Sequence, residues 1–319
     1  MLAPPLLVSY SSVKDYLSAL PDELREQYEA EISSLVERNL PPVVSSRCLA
    51  VLFGFSVKFV NAMRSQNHKY YREFTIRKGK KKRKIQAPRV SLKVIQKWFG
   101  SHLAQALPVE DYVFGFVPGR SAVDAAQKHC NSAWVYSVDI KDFFSSTDEA
   151  EVKCALLGLG YSQKACDLIV PLCCHRDKLA QGAPSSPVLS NLVMKSVDEK
   201  LSVLSCEHGI TFTRYADDIV FSGSGEFPEI IKQSVKAIFN GTCWELSANK
   251  EYFADSAKGQ RLKVHGLLVN GGKARLTKGY RNKIRAFKHL VNSGKVKDED
   301  VRRLVGHIKY SDSVENNGE

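Results

Sequence analysis

The run Arg214-Tyr215-Ala216-Asp217-Asp218-Ile219-Val220-Phe221 decides how this chain is read. Two short segments rich in β-branched and aromatic residues, Thr211 to Tyr215 and Ile219 to Ser222, flank adjacent acids, which predicts a tight hairpin projecting two carboxylates from its bend. Asp is also a favoured turn residue, so the pair alone fits a solvated loop as well. A third acid shifts that balance. Asp139 closes another strand-like run, Ala133 to Val138, and three carboxylates at neighbouring strand ends repel one another unless hard cations neutralise them. Two Mg²⁺ ions bridging the attacking and leaving oxygens of a phosphoryl transfer are the recurring solution.

Around this centre lie 319 residues, 44% of them hydrophobic, enough for one large domain or two to three small ones. The eight cysteines (48, 130, 154, 166, 173, 174, 206 and 243) show no Cys-x-x-Cys spacing. Without a signal-peptide pattern they are expected as reduced thiols, not as a disulfide framework or a zinc site. No window reaches the roughly 18 consecutive apolar residues of a membrane span, so a soluble, cytoplasmic protein without a membrane partner is expected. Lys and Arg outnumber Asp and Glu by 46 to 34, giving +12, and the charge is polarised. Residues 1–40 hold seven acidic and three basic side chains, whereas residues 258–310 hold fifteen basic and three acidic. That points to a polyanionic partner, against the plainer alternative of a solvated lysine-rich surface.

Working outward, strand and helix signals interleave without a regular βαβ rhythm, so the fold class is α+β. Residues 11–40 read as helical, with Ser11 and Ser12 as caps and Pro41-Pro42 as the stop, and a second helix is expected over 46–64. Phe74-Thr75-Ile76 and Ile85-Gln86-Ala87-Pro88 enclose Arg77-Lys78-Gly79-Lys80-Lys81-Lys82-Arg83-Lys84, a hairpin cationic at seven of eight tip positions. Leu92, Ile95, Trp98, Phe99 and Leu103 share one helical face. Ser185-Ser186-Pro187 reads as a helix start. Lys263 to Asn270 and Lys273 to Leu276, around Gly271-Gly272, give a hairpin signal. An amphipathic helix follows from near Tyr280, with Ile284, Phe287 and Val291 on one side and Arg281, Lys283, Arg285 and Lys288 elsewhere.

In this order and at these separations the motifs resemble those of reverse transcriptases, and among them the bacterial retron enzymes, over about residues 70–310. Ser137-Val138-Asp139-Ile140-Lys141-Asp142-Phe143-Phe144 resembles the first catalytic motif of that family. Gln181-Gly182-Ala183-Pro184-Ser185-Ser186-Pro187 with Leu189-Ser190-Asn191 resembles the second, and Tyr215-Ala216-Asp217-Asp218 the third. Phe114-Gly115-Phe116 with Ser121 resembles the segment after the basic hairpin. The resemblance implies a right-hand polymerase fold with fingers, a palm of antiparallel sheet plus helices, and a small helical thumb. Residues 1–69 would form an N-terminal helical region, 70–130 fingers with part of the palm, 131–257 the palm with interleaved fingers elements, and 258–319 a primer-grip hairpin and basic thumb.

By the same resemblance, Asp139, Asp217 and Asp218 would hold two Mg²⁺ ions together with the Ile140 carbonyl. Arg83 and a nearby lysine, Lys80 among the candidates, would contact the triphosphate of the incoming deoxynucleotide. Gln181 and Gly182 would let the templating pair and sugar approach, and Phe144 would fill the space of a ribose 2′-hydroxyl, the plainer alternative being a core aromatic. Lys250 is the candidate for a further lysine near the triphosphate, against an exposed helix-end lysine.

Two segments depart from the family pattern. Ala125-Ala126-Gln127-Lys128-His129 keeps the His of Asn-Ala-x-x-His without its Asn, and Val264-His265-Gly266 stands where relatives carry Val-Thr-Gly. Both segments are tied in the family to handling its RNA, so His129 and His265 join Arg281, Lys283, Arg285 and Lys288 as RNA-binding candidates. For His265 a packed histidine supporting the hairpin is the alternative. The implied activity is retron RNA-directed DNA polymerisation. It would copy part of a cognate noncoding RNA (msr-msd) into single-stranded msDNA, primed from a guanosine 2′-hydroxyl, in antiphage defence with a separate effector protein. About forty residues follow Leu276, too few for an RNase H domain, so a host RNase H is expected as partner. The alternatives are an abortive-infection type enzyme making untemplated DNA and a non-catalytic RNA-binding scaffold.

Overall fold

Pro21 and Gly54 break both of the long N-terminal helices that the sequence suggests. The computed structural model describes residues 4–79, 81–294 and 296–316. In chain order its elements begin with helices α1 (Val13–Ser18), α2 (Asp22–Glu37), α3 (Ser46–Phe53) and α4 (Val57–Ser65) and strands β1 (Tyr71–Lys78) and β2 (Lys81–Pro88). Helices α5 (Val90–Ala106) and α6 (Ala122–Lys128), strand β3 (Trp134–Asp139) and helices α7 (Phe143–Ser146), α8 (Glu149–Gly158) and α9 (Gln163–Cys173) follow. Then come strands β4 (Cys174–His175) and β5 (Lys178–Leu179), helix α10 (Ser186–Glu207), strands β6 (Thr211–Tyr215) and β7 (Asp218–Gly223), and helix α11 (Ile230–Phe239). Strands β8 (Tyr252–Asp255), β9 (Lys263–Val264), β10 (Leu267–Leu268) and β11 (Arg275–Leu276) and helices α12 (Lys278–Asn292) and α13 (Asp298–Asn316) complete the order.

The expected helix over 11–40 is two helices because the residue before a proline avoids the helical region; Pro21 becomes the extended N-cap of α2. The helix expected over 46–64 splits at Gly54, which adopts φ +65° as the cap of α3, after which the Ser56 side chain accepts from the Phe59 amide to start α4. No single helix among the described residues is long and apolar enough to cross a membrane. All eight cysteines are unpaired thiols.

Contacts divide the chain into two compact units. One comprises the chain up to Val109, residues 141–196 and residues 241–244. Within it the apolar stripe of α5 is buried as its spacing predicts, through Leu92, Ile95, Trp98, Phe99 and Leu103. Strands β1 and β2 pair antiparallel in the register Tyr71↔Pro88 to Lys78↔Lys81, so alternate residues face opposite sides. On one side Glu73 anchors the hairpin. It accepts from Lys84 (2.7 Å), from His175 Nε2 (3.2 Å) and from Arg176 (3.1 Å), while Tyr71 stacks on the His175 ring at 4.3 Å. His175 is placed by a two-residue turn between β4 and β5, whose central residues Arg176 and Asp177 both have positive φ, the pattern that matches strand twist.

The other unit comprises residues 110–140, 197–240 and the chain from Glu245 onward. Its centre is a four-stranded antiparallel sheet in the order β6-β7-β3-β8. One face carries an aromatic row across all four strands, Phe212, Phe221, Tyr136 and Phe253, with Phe212 and Phe221 stacked at 5.3 Å. The opposite face, through Val135, Val220 and Ala254, packs on Val123 and Ala126 of α6 and on Leu262, Val264, Leu267, Val269 and Leu276. The expected hairpin over 263–276 is a three-stranded meander, β9-β10-β11. His265-Gly266 turns between β9 and β10 with φ of +49° and +83°, an added reversal that Gly271-Gly272 does not announce.

Lys84, then His175, hold the Glu73 carboxyl well below its ordinary value of 4.5, at about 2. A carboxyl depressed by folding contributes stability above its unfolded value and loses it as pH falls through the folded one. Glu73→Gln should therefore melt below the wild type at pH 6–7, and the two melting temperatures should converge between about pH 4.5 and 2; thermal melts across that range check this.

Candidate active site

Strand alternation and register assemble the site in the second unit. In the β3–β7 pairing Asp139 stands directly opposite Asp218, and Tyr215 closes the β6–β7 hairpin against Asp218. The side chains of residues 135, 137 and 139 share a face with those of 218, 220 and 222, so the two carboxylates emerge side by side. Ala216 and Asp217 form the two-residue turn between β6 and β7. Ala216 adopts φ +58°, a left-handed conformation that costs a residue with a Cβ of order 1–3 kcal/mol unless its surroundings enforce it. They do: a Cβ on Gly115 would lie 2.0 Å from the Ala216 nitrogen, so only glycine lets residues 114 and 115 pack against the turn. The Ile140 amide donates to the Asp217 carbonyl (2.9 Å), and the Ser247 amide to the Asp139 carbonyl (2.8 Å).

Asp139 is nearly covered, its side chain 9% exposed, whereas that of Asp218 is 48% exposed. Burial pushes the Asp139 carboxyl up from its ordinary value, the neighbouring Asp217 and Asp218 charges push the same way, and the Lys250 hydrogen bond opposes them. The Lys250 ammonium contacts Asp139 Oδ1 directly from a 3₁₀ turn, Ala248–Lys250. The lysine thus stands at the end of that short turn and still reaches a carboxylate. His265 Nδ1 lies 3.6 Å from Asp218 Oδ2, and its ring packs on Tyr215 at 5.1 Å. Among the described residues no three His, Cys, Asp or Glu side chains converge at ligand spacing. The donor chemistry nonetheless fits hard cations: an acid-only oxygen set, with a buried carboxylate paired to the Lys250 ammonium.

The remaining expected site residues fall in several places. In the first unit, Gly182 has φ +125° and leaves no room for a side chain, since a Cβ would sit 2.9 Å from Ile85 Cγ2 and 3.1 Å from the Gln86 carbonyl. The Gln86 amide donates to the Gln181 carbonyl (2.9 Å), tying the basic hairpin to this loop. Ile85 therefore stands beside Gly182, its cross-strand partner Phe74 is half exposed, and Arg83 lies on the same face opposite Ile76; nothing in the residue order singled out Ile85 or Phe74. Lys80 lies outside the described residues. Phe143 is the core aromatic, buried against Trp244, while Phe144 beside it is only half-buried.

His129 is corrected by its burial. Its ring is fully enclosed, with Nδ1 on the Ser222 hydroxyl (2.8 Å) and Nε2 on the Thr213 hydroxyl (2.7 Å), so no ring atom is left for RNA. Burial holds it neutral, pushing its pKa down to about 3. His265 follows the packed alternative: its side chain is 7% exposed, and in this conformation it offers no face to a base. Arg281, Lys283, Arg285 and Lys288 are exposed on α12, where Lys288 pairs with Asp312 (3.1 Å) and Lys283 lies over Phe287.

An antiparallel sheet that ends one strand in a carboxylate and sets two more at the adjoining hairpin turn is the palm of a nucleotide polymerase. The reverse transcriptase (RNA-dependent DNA polymerase) family pattern matches residues 76–256. The Ec86 retron reverse transcriptase of Escherichia coli is 30% identical over 251 residues, covering 76% of this chain and 77% of that protein, and the Ec73 enzyme of E. coli is 31% identical over 253 residues, covering 73% and 79%. Among solved structures, Candida albicans telomerase in complex with a fragment of telomeric RNA aligns over 70% of this chain and 50% of its own, with a TM-score of 0.48 and 11% identity. The chain belongs to the reverse transcriptases, and within them to the retron enzymes; it is an RNA-directed DNA polymerase.

The enclosed position of His129 sets a clear expectation. His129→Leu should destabilise the protein by about 1–3 kcal/mol, by leaving buried hydroxyls of Thr213 and Ser222 short of a partner, while RNA affinity of the folded protein stays at the wild-type level. Melting curves paired with RNA titrations well below the transition check both.

Proposed function

We propose that this retron polymerase copies part of a cognate structured noncoding RNA (msr-msd) into single-stranded msDNA by two-metal nucleotidyl transfer, primed from an RNA guanosine 2′-hydroxyl. The observation that carries the chemistry is the register that sets Asp139 opposite Asp218 with Asp217 in the adjoining turn. When bound, two Mg²⁺ ions would activate the attacking hydroxyl and offset charge on the leaving pyrophosphate. Asp139, Asp217 and Asp218 would hold them, with the Ile140 carbonyl as a further oxygen. Lys250 would then release Asp139 and turn to the triphosphate, which Arg83 and Lys80 would grip from the hairpin. Gln181 and Gly182, held against Ile85 and Gln86, would bound the templating pair. Phe144, half-buried beside Phe143, would bar a 2′-hydroxyl.

Arg281, Lys283, Arg285 and Lys288 on the exposed side of α12 would follow the RNA backbone, an interaction set by phosphate charge. The product, DNA joined to RNA, would meet a host RNase H for template removal and a separate effector protein in antiphage defence, in the cytoplasm. Retron homology supports this biology.

Asp217→Asn should abolish Mg²⁺-dependent deoxynucleotide incorporation while leaving the fold and RNA binding near wild type, because Asn keeps the shape and loses the ligand charge. Primer extension by the purified variant decides it, and near-wild-type extension would sink the two-metal assignment; omitting template from the same assay separates copying from untemplated synthesis. Phe144→Ala should raise ribonucleotide incorporation relative to deoxynucleotide, even if total activity falls. Unchanged discrimination, measured side by side, would return Phe144 to a packing role.

A further inference from the structure

We propose that Arg214 and Asp198 form a positioning pair that aims the Asp217 carboxylate from the opposite face of the sheet, an inference that rests on the two-metal reading above. Arg214 lies in the cross-strand row Arg214, Ile219, Val138, on the aromatic side, while its neighbours Thr213 and Tyr215 face the carboxylate side. Its guanidinium is fully buried and the Asp198 side chain is 3% exposed. Nε donates to Asp198 Oδ1 and Nη2 to Oδ2, both at 2.6 Å, a bidentate fork. Nη1 donates to the Ala216 carbonyl at 3.1 Å.

Burial alone does not explain the pair, because an apolar pair of similar volume fills such a space as well or better. The Nη1 contact does explain it. Ala216 is the left-handed residue of the catalytic turn, and its carbonyl belongs to the peptide plane that ends at the Asp217 nitrogen. The next plane, between Asp217 and Asp218, is held through the Asp217 carbonyl by the Ile140 amide. With both planes fixed, the Asp217 backbone dihedrals are fixed, and so is the direction in which its carboxylate leaves the chain. Arg214 is itself anchored: its amide donates to the Tyr112 carbonyl (2.8 Å) and its carbonyl accepts from the Phe114 amide (2.9 Å). A lysine could not replace it, since one ammonium cannot present a planar three-way fork.

The test is the double variant Arg214→Met/Asp198→Leu, which keeps the buried volume and deletes the Ala216 contact. It should melt near the wild-type temperature, yet bind Mn²⁺, titrated by loss of the free-ion resonance signal, roughly 10- to 100-fold more weakly. The kcat for primer extension should fall by a similar factor while KM for deoxynucleotide stays near wild type, a split that a merely structural role would not produce. A double variant that melts, binds Mn²⁺ and turns over as the wild type does overturns the proposal. Should it fail to fold, Arg214→Lys carries the test: weakened Mn²⁺ binding in a folded protein supports the role, and wild-type binding overturns it. Asp217→Asn is the control on the underlying reading. If that variant binds Mn²⁺ as the wild type does, the two-metal reading fails first and this proposal falls with it.

Discussion

Two carboxylates placed opposite each other on adjacent strands repel, and everything around the β3–β7 pairing accommodates that fact. The register cannot slip by one residue, because the period of a strand is two and a slip would carry Val135 and Val220 out of the core as it carried Asp139 out of the site. The core thus enforces the electrostatic conflict. Lys250 sits on Asp139, His265 stands by Asp218, and burial with neighbouring negative charge keeps the Asp139 carboxyl above its ordinary value. The donor chemistry of such a site suits hard cations.

The sheet separates two tasks by face. The carboxylate side is polar toward its turn end and further along is filled by the neutral His129 with Thr213 and Ser222. The other side is an aromatic row with the buried Arg214–Asp198 pair near the turn. Chemistry and its support therefore approach the same four residues, 215 to 218, from opposite directions. Gly115 adds a third direction, edge-on, where no side chain fits.

The fold class and the three aspartates were legible because both rest on local signals: alternation in short strands, turn residues between them, and motif order. The helix breaks at Pro21 and Gly54 were also written locally, but a continuous apolar period hid them, and the proline and glycine rules prevailed. His129 could not be placed from its neighbours, because its partners are 84 and 93 residues away on strands β6 and β7. Asp198 is 16 residues from Arg214 in a helix whose face is not marked by a charge pattern. Lys250 could be named from its motif, but its contact with Asp139, 111 residues away, is set by tertiary structure. What the residue order withholds throughout is pairing across long separations.

The meander β9-β10-β11 shares its apolar residues with the catalytic sheet: Val264, Leu267, Val269 and Leu276 lie in one cluster with Val135 and Val220, joined by Val314 near the end of α13. The strongly basic C-terminal segment is thereby not a detachable module. It should melt in the same cooperative step as the strands bearing the aspartates, and a deletion beginning before Leu262 would uncover the sheet itself. The exposed positions of α12, by contrast, can change without repacking this cluster. In evolutionary terms, that exposed helix face is freer to drift than the scaffold that presents it.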